Sequence, residues 1–315
     1  MWRSGAGAGT AYVVFGKDGN LPHPLELSSL NGTNGFQING VAAGDSLGFS
    51  VSAAGDVNAD GIDDLILGAP LAGPSGNNPG IAYVIFGSDQ AFPQPLNLSG
   101  LTSSRGFAIT GVTVGDEVGN SVSGAGDING DGTADVIVGA PKADPNGDAS
   151  GAAYVVFGSN QALPHPLQLA NLNGNNGFAM VGVGAGSQAG WSVSGAGDIS
   201  NDGTDDIAIG AALADANGQD SGVGYVVFGK NTAWAASLSL AALDGNNGFR
   251  VNGVNAGARL GASVSRAGDF NFDGRDDLVI GAPRADPNGD KSGASYLIFN
   301  AELLESDVIF ADGFE

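Results

Sequence analysis

Hydrophobic and polar positions follow the same succession four times along the chain, at an interval of 71 residues. An alternating run such as Leu47-Gly48-Phe49-Ser50-Val51-Ser52 has the period of two of a half-buried β-strand. A polar nonapeptide follows, and then a continuous apolar run such as Asp64-Leu65-Ile66-Leu67-Gly68, short enough to be a buried strand. A third run, residues 82–87, returns at 153–158, 224–229 and 295–300, and an earlier copy stands at 10–16. Between this run and the next, the spaced leucines Leu96, Leu98 and Leu101 recur as Leu25, Leu27 and Leu30, as Leu167, Leu169 and Leu172, and as Leu238, Leu240 and Leu243. They predict a long connection anchored to the core. The final element, Gly35-Phe36-Gln37-Ile38-Asn39-Gly40, has copies opening at Gly106, Gly177 and Gly248 and alternates again. Each unit therefore reads as four short strands.

A four-stranded antiparallel unit cannot bury both its faces alone, so neighbouring units must pack sheet against sheet. Radial packing of that kind is a β-propeller, and a sandwich or open solenoid fits a unit of this length less well. The strand count predicts about four to five blades: 1–34 as the end of a preceding repeat, 35–300 as four repeats in one propeller, and 301–315 as a tail outside the pattern. Two readings of the ends stay open. The run at Phe36 to Asn39 either closes the ring by completing the last blade, or the chain is part of a larger propeller.

The polar nonapeptide carries the candidate chemistry. Its copies begin at Asp56, Asp127, Asp198 and Asp269, with oxygen-bearing side chains at positions one, three, five and nine and Gly at six. Calcium is a hard ion that takes about six to eight oxygens, so a loop that cages it needs several carboxylates, a backbone carbonyl and a Gly at the sharp turn. The side-chain ligands would be Asp56, Asn58, Asp60 and Asp64; Asp127, Asn129, Asp131 and Asp135; Asp198, Ser200, Asp202 and Asp206; and Asp269, Asn271, Asp273 and Asp277. Position seven would offer the carbonyl of Ile62, Thr133, Thr204 or Arg275. Position twelve is apolar (Leu67, Val138, Ile209, Ile280), which excludes an EF-hand with its bidentate Glu. The competing reading is a metal-free Asp/Asn/Gly hairpin turn; repetition of the same oxygens in all four copies favours about one Ca²⁺ per loop.

Charge fits the same picture. The chain has 11 basic and 33 acidic residues, a formal charge of −22, and 15 of the acids lie in the four loops. Four Ca²⁺ would bring the charge to −14. Such acidity argues against nucleic acid or an anionic membrane surface as partner. With no cysteine, disulfides do not hold the fold, and calcium in their place suits an extracellular setting. No stretch reaches membrane-spanning length, and residues 1–9 lack the regions of a signal peptide.

These loops, and the Gly-Ala-Pro that follows three of them (Gly68-Ala69-Pro70, Gly139-Ala140-Pro141, Gly281-Ala282-Pro283), resemble the FG-GAP repeats of the integrin α-chain N-terminal propeller and of bacterial secreted proteins that carry them. The resemblance runs from about Thr10 to Asn300. Departures are Gly210-Ala211-Ala212 in the third unit and Leu47-Gly48, Val118-Gly119, Ala189-Gly190 and Leu260-Gly261 in place of Phe-Gly. The resemblance implies an all-β propeller of a bacterial secreted or surface protein, acting in adhesion or ligand binding without catalysis. It also implies that the metal loops project from one end. Loops 71–80, 142–151, 213–222 and 284–293 at the other end would then meet a protein or carbohydrate ligand.

Other candidates rank below this. Asp144-Pro145-Asn146-Gly147-Asp148 and Asp286-Pro287-Asn288-Gly289-Asp290 alternate oxygens like a second metal site but read better as turns. His23 and His165 stand where other units have Gln94 and Ala236, so they read as surface-turn residues. The doublets Asp63-Asp64, Asp205-Asp206 and Asp276-Asp277 could pair as acid and base, yet adjacent strand residues point to opposite faces. Trp191 and Trp234 read as packing residues in preference to sugar platforms. The alternative function is a polysaccharide lyase or hydrolase, or an accessory binding module of a larger secreted enzyme. A unique acidic and basic cluster at the axis would favour the enzyme, and repeated Gly, Ser and Val there would oppose it.

Overall fold

A computed structural model describes residues 7–19, 22–73 and 78–299. Five sheets follow one another along the chain. In the second, Ser50–Gly55, Asp64–Ala69, Ile81–Ile85 and Gly106–Thr110 lie side by side in that order, each antiparallel to the next. The third has Val122–Gly126, Asp135–Ala140, Ala152–Val156 and Gly177–Val181 in the same order, and the fourth has Ser192–Gly197, Asp206–Ala211, Val223–Val227 and Gly248–Asn252. The fifth contains Ser263–Gly268, Asp277–Ala282 and Ala294–Ile298. Local pattern explains the arrangement: the continuous apolar runs form the second and third strands, covered on both faces, and Asp135–Ala140 and Ala152–Val156 are buried along their whole length.

Each apolar cluster lies between two successive sheets, so the core is a series of interlayers and not a single centre. The first strands pack on one another, Ser50–Gly55 on Val122–Gly126, that on Ser192–Gly197, and that on Ser263–Gly268. Small residues are required at this approach. A Cβ placed on Gly195 would stand 2.8 Å from the Gly124 carbonyl oxygen. This is the stacking of propeller blades about an axis.

Two features depart from expectation. Gly35–Asn39 pairs antiparallel with Thr10–Val14, Val13 opposite Phe36, and so does not complete the last sheet. The reason is local: every fourth strand in the molecule folds back on the third strand of its own unit. The second departure is a fifth strand. The second, third and fourth leucine-spaced connections each supply two or three residues that pair in parallel with the fourth strand of the preceding sheet: Leu96–Asn97 on Gly35–Asn39, Leu167–Gln168 on Gly106–Thr110, and Ser237–Ser239 on Gly177–Val181. A single 3₁₀ turn then buries Leu98, Leu169 or Leu240. The connection anchors to the core as expected, and it also covers the neighbouring sheet's edge. Residues 301–315, expected as a tail, lie outside the described residues.

Candidate metal loops

Every nonapeptide sits between the first and second strands of its sheet, at one end of the molecule. A β-bulge with a left-handed Gly leads into each, at Gly55, Gly126, Gly197 and Gly268. Two further left-handed residues curl the loop: Gly at position six, with φ of 87°, 89°, 91° and 88° in the four copies, and position four, occupied by Ala59, Gly130, Asn201 and Phe272. The second was not legible as a turn position, because Ala and Phe carry no signal for that conformation.

Curling aims the side-chain oxygens inward. Asp56 accepts from the backbone N–H of Asp60 at 3.0 Å and of Gly61 at 2.7 Å, Asn58 Oδ1 from Asp60 N at 3.0 Å, and Asp60 Oδ1 from Ile62 N at 2.9 Å. The same contacts recur for Asp127, Asn129 and Asp131 and for Asp269, Asn271 and Asp273. In the third loop Asp198 and Asp202 keep theirs, and Ser200 Oγ reaches Asp198 at 3.4 Å. The position-three amides also donate to position five, Asn58 Nδ2 to Asp60 Oδ2 at 2.9 Å.

Position nine is different in kind. Asp64, Asp135, Asp206 and Asp277 are fully buried at the start of the second strand. Asp64 takes Val57 N at 2.9 Å on one oxygen and Gly87 N at 2.7 Å on the other; Asp135 takes Ile128 N and Gly158 N, and Asp206 takes Ser200 N and Gly229 N. Asp277 takes Phe270 N, and the residue at the place of Gly87 is Asn300, outside the described residues. Burial pushes these carboxyls up, to about 6 for Asp64 and about 7 for Asp206, and well above the usual range for Asp135. The carboxylates at positions five and one of the same loop add to the rise, while the backbone donors oppose it.

This donor set suits a hard cation. It is all oxygen, it concentrates negative charge that no basic residue of the first three loops offsets, and most of its carboxylate oxygens accept a single N–H and keep a second lone-pair direction. Among the described residues no three His, Cys, Asp or Glu side chains are gathered at metal-ligand distance. The loops are thus hydrogen-bonded Asx turns that bring the sequence-predicted oxygens to one side without closing them into a cage.

Position eight was missed as a separate role. Asp205 Oδ2 accepts from Asp127 N at 2.8 Å, and Asp276 Oδ2 from Asp198 N at 3.1 Å, so each ties its loop to the one before. The doublets Asp205-Asp206 and Asp276-Asp277 therefore split as the alternation predicts, one carboxylate buried in its own sheet and the other turned to the neighbour. Arg266, where other first strands have Ala53, Gly124 or Gly195, holds Asp276 with two bonds of 2.9 Å. It borders a cleft of about 270 Å³ at the axis whose other walls are mostly Gly, Ala and Ser.

The remaining candidates have structural partners. His165 Nδ1 accepts from Ala108 N at 3.1 Å, as Gln94 Oε1 does from Gln37 N and the Ala236 carbonyl from Ala179 N, so this position caps a strand edge. Trp234 stacks on Phe178 with ring centroids 4.0 Å apart, whereas Trp191 is 42% exposed. Asp144 accepts from Ala149 N within its own turn, and Asn146 donates its amide to the Gly182 carbonyl at the end of the fourth strand of its own sheet. Loops 142–151 and 213–222 also stitch blades together: the Ser150 and Ser221 carbonyls accept from Ala189 N and Leu260 N on the segments that enter the next sheet. In loop 71–80, residues 74–77 lie outside the described residues. Among the described residues no helix is long and apolar enough to cross a membrane.

The FG-GAP repeat model matches residues 47–85, 118–156 and 260–298, the first, second and fourth of the repeats that carry a candidate metal loop. The third, with Gly210-Ala211-Ala212, builds the same sheet. The chain is similar to integrin alpha ina-1 of Caenorhabditis elegans, 32% identical over 181 residues, which span 56% of this chain and 15% of that protein. It is 33% identical over 176 residues to integrin alpha-IIb of Mus musculus, covering 56% of this chain and 16% of that one. A phosphatidylinositol-glycan-specific phospholipase D of Bos taurus is 28% identical over 239 residues, 75% of this chain and 26% of that protein. The chain spans about a quarter or less of each of these three relatives.

Proposed function

From the premise that this is an FG-GAP repeat, integrin α-like protein with a β-propeller fold, we propose that it is a calcium-stabilised binding domain of an extracellular or surface protein, acting in adhesion or ligand recognition. The observation that carries the calcium part is the fourfold recurrence of an oxygen-lined loop closed by a fully buried, charge-strained aspartate. Asp56, Asn58, Asp60, Asp64 and the Ile62 carbonyl, and their equivalents in the other loops, would hold the ion. Bound Ca²⁺ would supply the positive charge that these carboxylates lack and fix each first hairpin. It would take no part in a reaction.

A binding role, without catalysis, is supported by how the reactive side chains are used. His165 caps a strand, the doublets Asp205-Asp206 and Asp276-Asp277 each serve two different structural bonds, and Arg266 is engaged by Asp276. The ligand, a protein in preference to a carbohydrate given the integrin relatives, would meet the end opposite the metal loops, where Trp191 is exposed on a frame stitched between blades. Calorimetric titration of chelator-stripped protein tests the metal part: uptake of about four Ca²⁺ and a higher melting temperature are expected. An unchanged melt with no heat of binding would reduce the loops to bare hairpins.

A further inference from the structure

The four metal loops are not independent. Asp205 holds both backbone polar groups of Asp127, the first residue of the preceding loop: its carboxylate accepts from Asp127 N at 2.8 Å and its N–H donates to Asp127 O at 3.2 Å. Asp205 itself lies between Thr204 and Asp206, the carbonyl and carboxylate offered by the third loop. The carboxylate of Asp276, between Arg275 and Asp277, accepts from Asp198 N at 3.1 Å and is steadied by Arg266. At the first junction this position is Ala134. Its N–H still reaches Asp56 O at 3.2 Å, but it has no carboxylate to hold Asp56 N.

Resting on the calcium reading above, we propose that Asp205 and Asp276 are positioning residues that couple neighbouring loops, so that loops two, three and four take up calcium as a linked row while Ala134 leaves the first loop uncoupled. The physical route is short. An ion in loop three fixes the backbone on either side of Asp205, which fixes its carboxylate, which orders Asp127 for the ion of loop two. Coupling of this kind is reciprocal, so loop two acts on loop three by the same factor. Space for the missing link exists, since Gly55 faces Ala134 as Gly126 faces Asp205.

Hydrogen exchange of each loop, followed through a calcium titration of the full chain, reads the loops separately. Disabling loop three with Asp202→Ala is expected to raise the calcium midpoint of loop two by about fivefold or more. In an Asp205→Ala background the same change should leave loop two unmoved. Ala134→Asp should bring loop one under control of loop two, so that Asp131→Ala shifts loop one in that variant and not in the parent. This gain-of-link variant tests the idea even if Asp205→Ala fails to fold. A loop-two midpoint indifferent to Asp202→Ala while the other loops bind, or a shift that persists without Asp205, overturns the coupling alone. Protection insensitive to calcium in every loop overturns the calcium reading, and the coupling with it.

Discussion

A carboxylate removed from water is stable in its charged form only when donors or a cation surround it. Asp64 and Asp206 have two backbone donors each, and burial still raises them from 3.8 to about 6 and about 7. The sign of the consequence follows from linkage. Between about pH 4 and pH 7 the folded protein keeps protons that the unfolded chain has released, so these groups favour folding most at the acid end and lose that contribution as pH rises to about 7. On the calcium reading proposed above, the ion would need the ionised form and would reverse the trend. The melting temperature of chelated protein is expected to fall from about pH 5 to about pH 7, while the rise produced by saturating calcium widens over the same interval. Equal calcium-induced rises at both pH values would contradict the assignment of position nine.

At the scale of elements, an open strand edge is what each connection resolves. The fourth strand of a sheet would expose its N–H and C=O groups, and the leucine-spaced segment of the following unit lies along it. An acceptor at the head of that segment caps one N–H: the Gln94 side chain at one sheet, His165 at the next and the Ala236 carbonyl at the third. His165→Gln should therefore be close to neutral, whereas His165→Ala should cost about 1 kcal/mol in denaturant unfolding. A pH-dependent or functional loss in the Gln variant would point to a role for the imidazole beyond capping. The same logic explains why Leu96, Leu98, Leu167 and Leu169 are buried while Leu27, with no strand beneath it among the described residues, is exposed.

For the whole molecule, stability is a sum of neighbour-to-neighbour interfaces. The interface is tightest at the axis, where first strands touch through Gly, Ala and Ser. Gly195→Val is expected to destabilise by roughly 2 kcal/mol or more, since its Cβ would press on the Gly124 carbonyl and separate two sheets. Calcium uptake by all four loops should survive, because none of their oxygens is touched. Position also sets exposure: Val122, Val193 and Val264 are buried against the preceding first strand, whereas Val51, which starts the described row of first strands, is 59% exposed.

What was legible in the chain was what consecutive residues spell out; the left-handed position four, the parallel fifth strand and the position-eight link recur at the same interval and were not. Alternation and apolar runs gave the strands, the interval of 71 residues gave the number of sheets that carry a metal loop, and the spacing Asp-x-Asn-x-Asp-Gly gave the loops with their oxygens. These are local properties, written in consecutive residues. Tertiary structure alone decided what depends on a neighbour far along the chain. That Asp205 serves the loop before it, that His165 caps a strand 57 residues away, and that Gly35–Asn39 returns to Thr10–Val14 depend on which sheet lies against which. A repeating pattern specifies the strands and the loop of each unit, but the contacts between units follow from their packing, and a residue's partner there is not among its neighbours in sequence.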